Sequence, residues 1–165
     1  MRVDRVLVLL SGLLLGNAAL AGLASAQTKI SISEQCGRPN PEYTIQVGDH
    51  PGHMFRIEQS TCTWEGTLEI AGVGVKQHQV TGFSEMDGAK GSDHWFHVFT
   101  MANGDSVYAR SQGTATYDGR RFQSSTAEWT FEGGTGKFQG LKGSGSYTCH
   151  PSPNGFACEA QGEYR

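Results

Sequence analysis

The sequence predicts an all-β protein, an antiparallel β-barrel of about eight strands in a single domain. Helical periodicity is nearly absent after residue 26, whereas apolar and polar residues alternate with the period of two that a half-buried strand requires. Asn-Gly and Asp-Gly pairs, which are typical of tight hairpin turns, separate these segments at regular spacing. Most of the 23 glycines follow residue 26, which favours a barrel because its corners and interior need glycine.

The first 26 residues have the pattern of a secretory signal peptide. Arg2 and Arg5 form a basic start, an apolar run covers 6–15, and small residues end in Ala-Ser-Ala at 24–26. This pattern predicts cleavage after residue 26 and export to a periplasm or to the medium. The apolar run is too short for a stable membrane span, so no membrane association is expected after cleavage. An uncleaved N-terminal anchor is the alternative.

Residues 27–165 are predicted to form one domain, because their number suits a single hydrophobic core. The full chain has a formal net charge of −3, and Arg120-Arg121 is its one adjacent basic pair after the signal. Nucleic-acid binding needs a basic patch or stripe, so no nucleic-acid partner is expected. Nothing in the charge pattern favours an anionic membrane surface either.

Four cysteines in a chain predicted to be exported favour two disulfides. Cys149 and Cys158 flank a turn-rich loop between two strand-like segments, so their pairing would staple the last hairpin. Cys36 and Cys62 would then pair with each other, although four cysteines allow two other connectivities. A zinc site is the rival interpretation, but no C-x-x-C or C-x-x-H spacing occurs. No metal and no cofactor are expected.

The first elements follow in order from residue 27. The polar, proline-containing segment 27–42 is predicted to be an extended lead-in to the barrel. Alternation predicts strands at 43–47 and 54–59, with a Pro-Gly turn between them. The clearest amphipathic strand is predicted at 61–70, because its even-numbered positions are mostly apolar and its odd-numbered positions are Thr or Glu.

The remaining elements continue the same alternation. The segment 93–101 has bulky side chains on both faces, which indicates a strand in the middle of a closed or covered sheet. Hairpin turns are predicted at Asn103-Gly104 and at Asp118-Gly119. The further strands are predicted at 77–84, 93–101, 106–117, 122–131, around 143–147 and at 156–164.

The glycine-rich segment 133–140 is predicted to be a turn and not a phosphate-binding loop. A P-loop needs glycine six residues before its lysine and Ser or Thr after it, but Phe131 and Phe138 surround Lys137 at those positions. A dinucleotide fingerprint needs glycine where Gln139 stands, and both motifs need a following helix. Glycine reaches positive φ without steric cost, as a turn between two strands requires.

Several blocks of the sequence resemble those of known proteins. The blocks are 100–105, 108–110, 113–115, 133–147 and 159–164. They look like segments of small exported bacterial proteins that have no assigned activity. The Gly-Gly-Thr-Gly-Lys-Phe-x-Gly block at 133–140 is also similar to that of the allene oxide cyclase-like and dirigent-like barrels. This resemblance implies an eight-stranded antiparallel barrel with a central cavity, and makes oligomerisation possible. It implies no catalytic residue, because no motif places the cavity residues of those barrels on this chain.

The histidines are not expected to form a metal site. His94 and His97 are three residues apart on a predicted strand, so their side chains point to opposite faces and cannot hold one ion together. The other four histidines frame a Pro-Gly turn or stand alone in the sequence. A metal site would need three ligands brought together from separate strands, and surface or packing histidines are the default expectation.

Candidate ligand-binding residues are aromatic and acidic side chains of the predicted strands. Eight strands leave an interior that side chains either fill or share with one small ligand. The candidates for lining such a cavity are Trp64, Glu65, Trp95, His97, Phe99, Tyr108, Glu128 and Trp129.

Two interpretations of these candidates stay open. Glu65 and Glu128 lie on the strand face opposite the large apolar residues, which indicates a solvated outer face. If the parity is inverted and polar groups line the cavity, the same glutamates become buried acids with raised pKa values. The aromatic candidates likewise either pack the core or form a ligand platform.

Three classes of function follow. The leading one is a non-enzymatic exported barrel that binds a small, largely apolar ligand; it predicts a cavity with several aromatic and a few polar groups. The second is an isomerase or cyclase-type enzyme, which predicts a cavity acid or histidine with a shifted pKa beside a hydrogen-bond donor. The third is a structural or interaction module, which predicts a filled core and an exposed apolar patch.

Overall fold

A computed structural model describes residues 27–119 and 121–165 of the chain. Within these ranges the protein consists of ten β-strands and one 3-10 helix, Gly136–Phe138, and no helix there is long and apolar enough to cross a bilayer. The strands are β1 (Thr28–Gly37), β2 (Glu42–Gln46), β3 (His53–Trp64), β4 (Glu69–Ile70), β5 (Val73–Asp87), β6 (Lys90–Met101), β7 (Ser106–Asp118), β8 (Arg121–Gly134), β9 (Gly143–Ser152) and β10 (Gly155–Tyr164). The predicted all-β class is confirmed. The predicted signal at 1–26 lies outside the described residues and stays a prediction.

Eight of the strands close into an antiparallel barrel. Around the barrel the order is β3, β1, β10, β9, β8, β7, β6 and β5, and β5 pairs back onto β3. Two short strands lie outside this ring, since β2 pairs with the first half of β3 and β4 pairs with the start of β5. The predicted antiparallel barrel of about eight strands is therefore confirmed.

Strand β1 is a full member of the barrel, whereas the sequence predicted an extended lead-in over 27–42. It pairs with β10 over its whole length, from Thr28↔Tyr164 to Gly37↔Gly155. Its inward positions include Ile30, which is buried in the core. Alternation did not predict this strand, because its few apolar residues stand among Ser, Glu and Gln.

The strand predicted at 61–70 is interrupted. Strand β3 ends at Trp64, and at Gly66 the backbone takes a φ of 74°, which residues with a Cβ rarely adopt. The chain resumes as β4, and Leu68 and Ile70 are both buried in the core. The apolar alternation thus continues across a turn, which is why periodicity alone predicted one strand.

The glycine-rich segment 133–140 contains the end of β8 and most of the turn between β8 and β9, where the sequence predicted a turn. Gly133 and Gly136 have φ values of 114° and 51°. The 3-10 helix that follows is three residues long and places Phe138 in the core. The long helix that a phosphate-binding loop requires does not follow this turn.

The barrel interior is packed at one end and hollow at the other. The packed end lies where the β6–β7 and β8–β9 turns are. Its buried members are Ile30, Ile32, Leu68, Ile70, Phe99, Met101, Val107, Ala109, Trp129, Phe131, Phe138 and Leu141. The β5–β6, β7–β8 and β9–β10 turns surround the hollow end.

Both predicted disulfides are present in the structure. Cys36–Cys62 joins β1 to β3, and Cys149–Cys158 joins β9 to β10. Cysteines of a cytosolic chain are kept reduced, so two disulfides indicate an oxidising compartment. Both bonds lie at the hollow end of the barrel, where Cys36, Cys149 and Cys158 line a cavity.

Candidate functional site

A cavity of about 530 Å³ occupies the hollow end of the barrel. All eight barrel strands contribute to its lining, so the cavity lies on the barrel axis and not on an outer face. Its volume falls within the range of about 300–1,000 Å³ that is usual for small-molecule sites. The barrel is therefore not completely filled by its own side chains.

Most of the cavity wall is apolar or aromatic. The wall residues of this kind are Cys36, Pro39, Val80, Trp95, Tyr117, Phe122, Tyr147, Cys149, Pro151, Phe156 and Cys158. The indole ring of Trp95 packs directly against Gly82, its cross-strand neighbour. A Cβ at residue 82 would lie only 2.3 Å from the ring. Gly82 thus makes the space in which the largest wall residue sits.

A first polar cluster lies in the cavity at Arg56 of β3. Arg56 Nη2 donates a hydrogen bond of 3.0 Å to the Tyr117 hydroxyl and lies 3.3 Å from Glu58 Oε1. Its guanidinium carbon is also 5.6 Å from the centroid of the Tyr117 ring. Asp93 of β6 is buried in the same part of the wall. The cluster combines one cation, two carboxyl groups and one phenol.

Burial decides the protonation of this cluster. It raises the pKa of Glu58 to about 7, although Arg56 acts in the opposite direction. Burial also raises the pKa of Asp93, and it raises the pKa of Tyr117 to about 12. Near neutral pH, Glu58 therefore exchanges a proton readily while Arg56 keeps its positive charge.

A second polar group is a chain of hydrogen bonds through five strands of the barrel. Glu34 Oε2 lies 2.8 Å from His78 Nδ1, and His78 Nε2 lies 3.1 Å from His97 Nδ1. His97 Nε2 lies 2.9 Å from Ser111 Oγ, which lies 3.1 Å from the Tyr147 hydroxyl. Glu34, His97 and Tyr147 line the cavity, whereas His78 and Ser111 are buried and do not line it.

Each residue of this chain has a hydrogen-bond partner when all the donors point in the same direction along the chain, from Tyr147 to Glu34. Burial lowers the pKa of His97 to about 3 and raises the pKa of Tyr147 to about 12. In that direction Tyr147 donates to Ser111, Ser111 to His97 Nε2, His97 Nδ1 to His78 Nε2, and His78 Nδ1 to Glu34. A complete chain of this kind fixes side-chain positions and connects two separate points of the cavity wall.

The structure brings two of the eight sequence-predicted site residues, Trp95 and His97, to the cavity. The other six lie elsewhere, in or against the packed core (Phe99, Trp129 and Trp64) or on the outer surface (Glu65, Tyr108 and Glu128). Glu65 and Glu128 thus occupy the solvated face that was one of their two predicted positions.

Arg56 and Glu58 are cavity residues that the sequence analysis did not identify. On β3 the polar side chains point inward, while their neighbours Phe55 and Ile57 are exposed on the outer surface. The inverted parity considered for other strands is realised here. The sequence did contain one indication of their position. Cys62 is at an even-numbered position of β3, as Arg56 and Glu58 are, and its predicted disulfide places that face of the strand inside the barrel.

An outer apolar stripe runs across β2, β3, β5, β6 and β7. Its exposed members are Tyr43, Ile45, Val47, Phe55, Ile57, Phe83, Phe96, Val98 and Tyr108. Cross-strand pairs such as Tyr43↔Ile57 and Ile57↔Phe83 make its members direct neighbours. The patch expected of an interaction module is thus present, but the filled core expected with it is not.

No protein-family model matches the chain, and no curated protein matches it. The assignment of a function to the barrel therefore depends on the geometry and chemistry of the cavity.

Proposed function

We propose that this protein binds a small, largely apolar ligand in the barrel cavity and does not change it chemically. The observation that carries the proposal is the cavity itself, about 530 Å³ in volume and walled by aromatic rings and two disulfides. Ligand sites of this size bury most of a small molecule against apolar walls and orient it with a few polar groups.

The polar groups of the wall favour one orientation of the ligand. An apolar body fits against Trp95, Phe122 and Phe156, which face the cavity. A head group that accepts hydrogen bonds, such as a carboxylate or a carbonyl, fits at Arg56. Because burial raises the pKa of Glu58 to about 7, Glu58 competes less for Arg56 as an anion than an ordinary glutamate does.

The same proposal places the protein outside the cytoplasm. The two disulfides support an oxidising compartment, and the predicted signal peptide supports export. The resemblance to allene oxide cyclase-like barrels agrees with a hollow barrel that holds one small molecule. The protein would then act as a carrier or store for that molecule.

Binding of 1-anilinonaphthalene-8-sulfonate tests the site, since this probe joins an apolar body to an anionic head. Ser125 lines the cavity, so Ser125→Trp fills it and should weaken binding at least tenfold. Ile45→Thr alters the outer apolar stripe and is the matched control, which should leave the cavity affinity unchanged. Near-ultraviolet circular dichroism shows whether each variant is folded. Equal affinity of folded Ser125→Trp and the wild type would refute the proposal.

A proton-transfer enzyme of the isomerase or cyclase type is the second candidate, and Glu58 is the observation that favours it. A buried carboxyl group with a pKa of about 7 suits a general acid–base catalyst near neutral pH. Arg56 and Tyr117 lie beside it as donors for a substrate oxygen. Glu58 would then remove a proton from one carbon and return it to another, which needs no cofactor.

Mass spectrometry of the molecule that co-purifies from the native host separates the two candidates. A binder should carry the same compound in the wild type and in Glu58→Gln. An enzyme should carry its product in the wild type and its unconverted substrate in the variant. Conversion of the variant's compound by added wild-type protein would establish catalysis and exclude the purely binding role.

A further inference from the structure

A separate cluster of ionisable side chains lies at the rim of the barrel, outside the cavity lining. The turn between β2 and β3 provides Asp49 and His50, the first residue of β3 is His53, and the end of β5 provides Glu85 and Asp87. The two strands pair with each other, and His53 stands opposite Asp87 in the ladder. Two imidazoles and three carboxylates thus meet at one place on the surface.

The distances in this cluster are short. His53 Nδ1 lies 2.8 Å from Asp49 Oδ1, and His50 Nε2 lies 3.6 Å from Asp49 Oδ2. His50 Nε2 also lies 3.8 Å from Asp87 Oδ1. One ligand atom from each of Asp49, His50 and His53 can be chosen so that all lie within 4.8 Å of one another.

We infer that Asp49, His50, His53 and Asp87 bind one divalent transition-metal ion, with zinc as the reference metal. Zinc bonds of about 2.0–2.1 Å in a tetrahedron separate neighbouring ligand atoms by about 3.3 Å. The separations of 2.8, 3.6 and 3.8 Å lie on both sides of that value. Ligand atoms of Asp49, His50 and His53 already lie within 4.8 Å of one another, so side-chain rotations can direct these three at one ion, and Asp87, beside His50, is placed to be the fourth ligand.

The outer contact of His53 fits a metal ligand. Its Nε2 lies 3.0 Å from Glu85 Oε1, so Nδ1 is the nitrogen that faces the other ligands. In metal sites, a carboxylate that accepts the second ring N–H of a ligating histidine fixes its tautomer and orientation. Glu85 takes that place here, on the strand adjacent to the turn.

The donor set selects the class of metal. Imidazole nitrogens together with carboxylate oxygens suit zinc, copper or nickel, whereas magnesium and calcium prefer oxygen ligands alone. The sequence predicted no metal site, because such a site would need three ligands brought together from separate strands. The proposed cluster brings ligands together in this way, from the β2–β3 turn, the start of β3 and the end of β5.

Isothermal titration of the full mature chain with zinc chloride tests the site, using protein that has no polyhistidine tag and was treated with a chelator. We expect one zinc ion per chain. The double variant His50→Ala/His53→Ala should lose at least a hundredfold in affinity. His150→Ala, which removes an exposed histidine of β9 outside the cluster, is the matched control and should bind zinc as the wild type does.

Glu85→Gln tests the supporting role, and we expect it to keep one zinc ion with roughly tenfold lower affinity. Circular dichroism confirms that the variants are folded, since all the substituted side chains lie at the surface rim. Unchanged zinc affinity in the folded double variant would place the metal elsewhere and overturn the inference. The inference would also be overturned if the folded wild type bound no zinc at about 100 µM, which is the order of magnitude of the Kd of a weak surface site.

Discussion

Glu58 is a carboxyl group whose burial opposes ionisation. Its pKa is raised from an ordinary 4.5 to about 7, so the folded chain binds more protons than the unfolded chain between these values. Stability contributed by the neutral form is complete below pH 4.5, is lost as the pH rises to about 7, and stays lost above it. At about 1.4 kcal/mol per pH unit, the loss amounts to roughly 3 kcal/mol.

Glu58→Gln should remove this pH dependence. We expect the free energy of unfolding of the variant, relative to the wild type, to rise by up to about 3 kcal/mol between pH 4.5 and pH 8. The pKa of His97 is also lowered, so its stability contribution is lost in both proteins as the pH falls from 6.5 towards 3. The difference in unfolding free energy between the variant and the wild type removes this shared contribution and is therefore the quantity to compare. Urea unfolding at several pH values measures it.

Glu132→Gln is the control for this prediction. Glu132 is exposed and pairs with Arg110 at 3.0 Å, and exposed pairs contribute little to stability. Its difference from the wild type should stay flat over the same pH range. A flat difference for Glu58→Gln as well would show that Glu58 is not the buried acid the structure describes.

Ser111 is the link between two rings of the buried chain. Its hydroxyl lies 2.9 Å from His97 Nε2 and 3.1 Å from the Tyr147 hydroxyl. Ser111→Ala leaves His97 Nε2 and the Tyr147 hydroxyl without this partner inside the barrel, and we expect a loss of about 1–3 kcal/mol in the free energy of unfolding. Ser146→Ala, on the exposed face of β9, should cost less than about 0.5 kcal/mol. Similar costs for the two variants would contradict a satisfied interior chain.

At the scale of elements, β5 and β6 shape the cavity through a pair of one small and one large residue. Gly82 and Trp95 are cross-strand partners, and the indole ring occupies the space that a Cβ of residue 82 would need. Such glycine–aromatic pairs fix the position of the ring and the register of the strands together. The wall of the cavity thus depends on a glycine that does not itself bind anything.

Gly82→Ala should therefore disturb both stability and binding. The added methyl group displaces the Trp95 ring, and overpacking of this kind costs about 1–3 kcal/mol. The displaced ring should also weaken the binding of 1-anilinonaphthalene-8-sulfonate. Gly74→Ala is the matched control in the same strand, because its Cβ would find its nearest neighbour at 3.9 Å. Full probe affinity in Gly82→Ala would exclude Trp95 as a wall of the binding site.

The elements that could be predicted from sequence are those determined by residues close together in the chain. The turns at Asn103-Gly104 and Asp118-Gly119 fix two hairpins, and alternation fixes the strands around them. Strand β1 could not be found this way, because its place in the barrel depends on pairing with β10 at the other end of the chain. The break after Trp64 was hidden for a similar reason, since Leu68 returns to the core from outside the strand.

The site was less predictable than the fold because its residues meet only after the barrel closes. Trp95 and His97 were found because they are bulky residues on a strand with two apolar faces. For Glu58 the sequence offers only the parity that it shares with Cys62, and for His78 it offers no indication. The side of the strand on which each lies follows from the register of β3 and β5, which is set by the whole ring.

At the scale of the whole molecule, the ladders between neighbouring strands that close the barrel differ in length. We call each of these ladders a seam. Strands β9 and β10 pair continuously from Gly143↔Tyr164 to Ser152↔Gly155. Strands β1 and β3 share only the three pairs from Glu34↔Trp64 to Cys36↔Cys62, because β2 occupies the rest of that edge of β3. One disulfide lies on each of these seams, so the two bonds are not equivalent for the closure of the barrel.

Removal of the Cys36–Cys62 bond should therefore cost more stability than removal of Cys149–Cys158. The two bonds span 26 and 9 residues, and loop entropy alone assigns them about 3.5 and about 2.6 kcal/mol. The short β1–β3 ladder should widen this difference, since little else holds that seam. Urea unfolding of Cys36→Ser/Cys62→Ser and Cys149→Ser/Cys158→Ser measures both costs, and a reducing agent should lower the melting temperature of the wild type. Equal costs, or a larger cost for the hairpin bond, would mean that β1 is held in the ring by β10 alone and that the β1–β3 seam contributes little to closing the cavity.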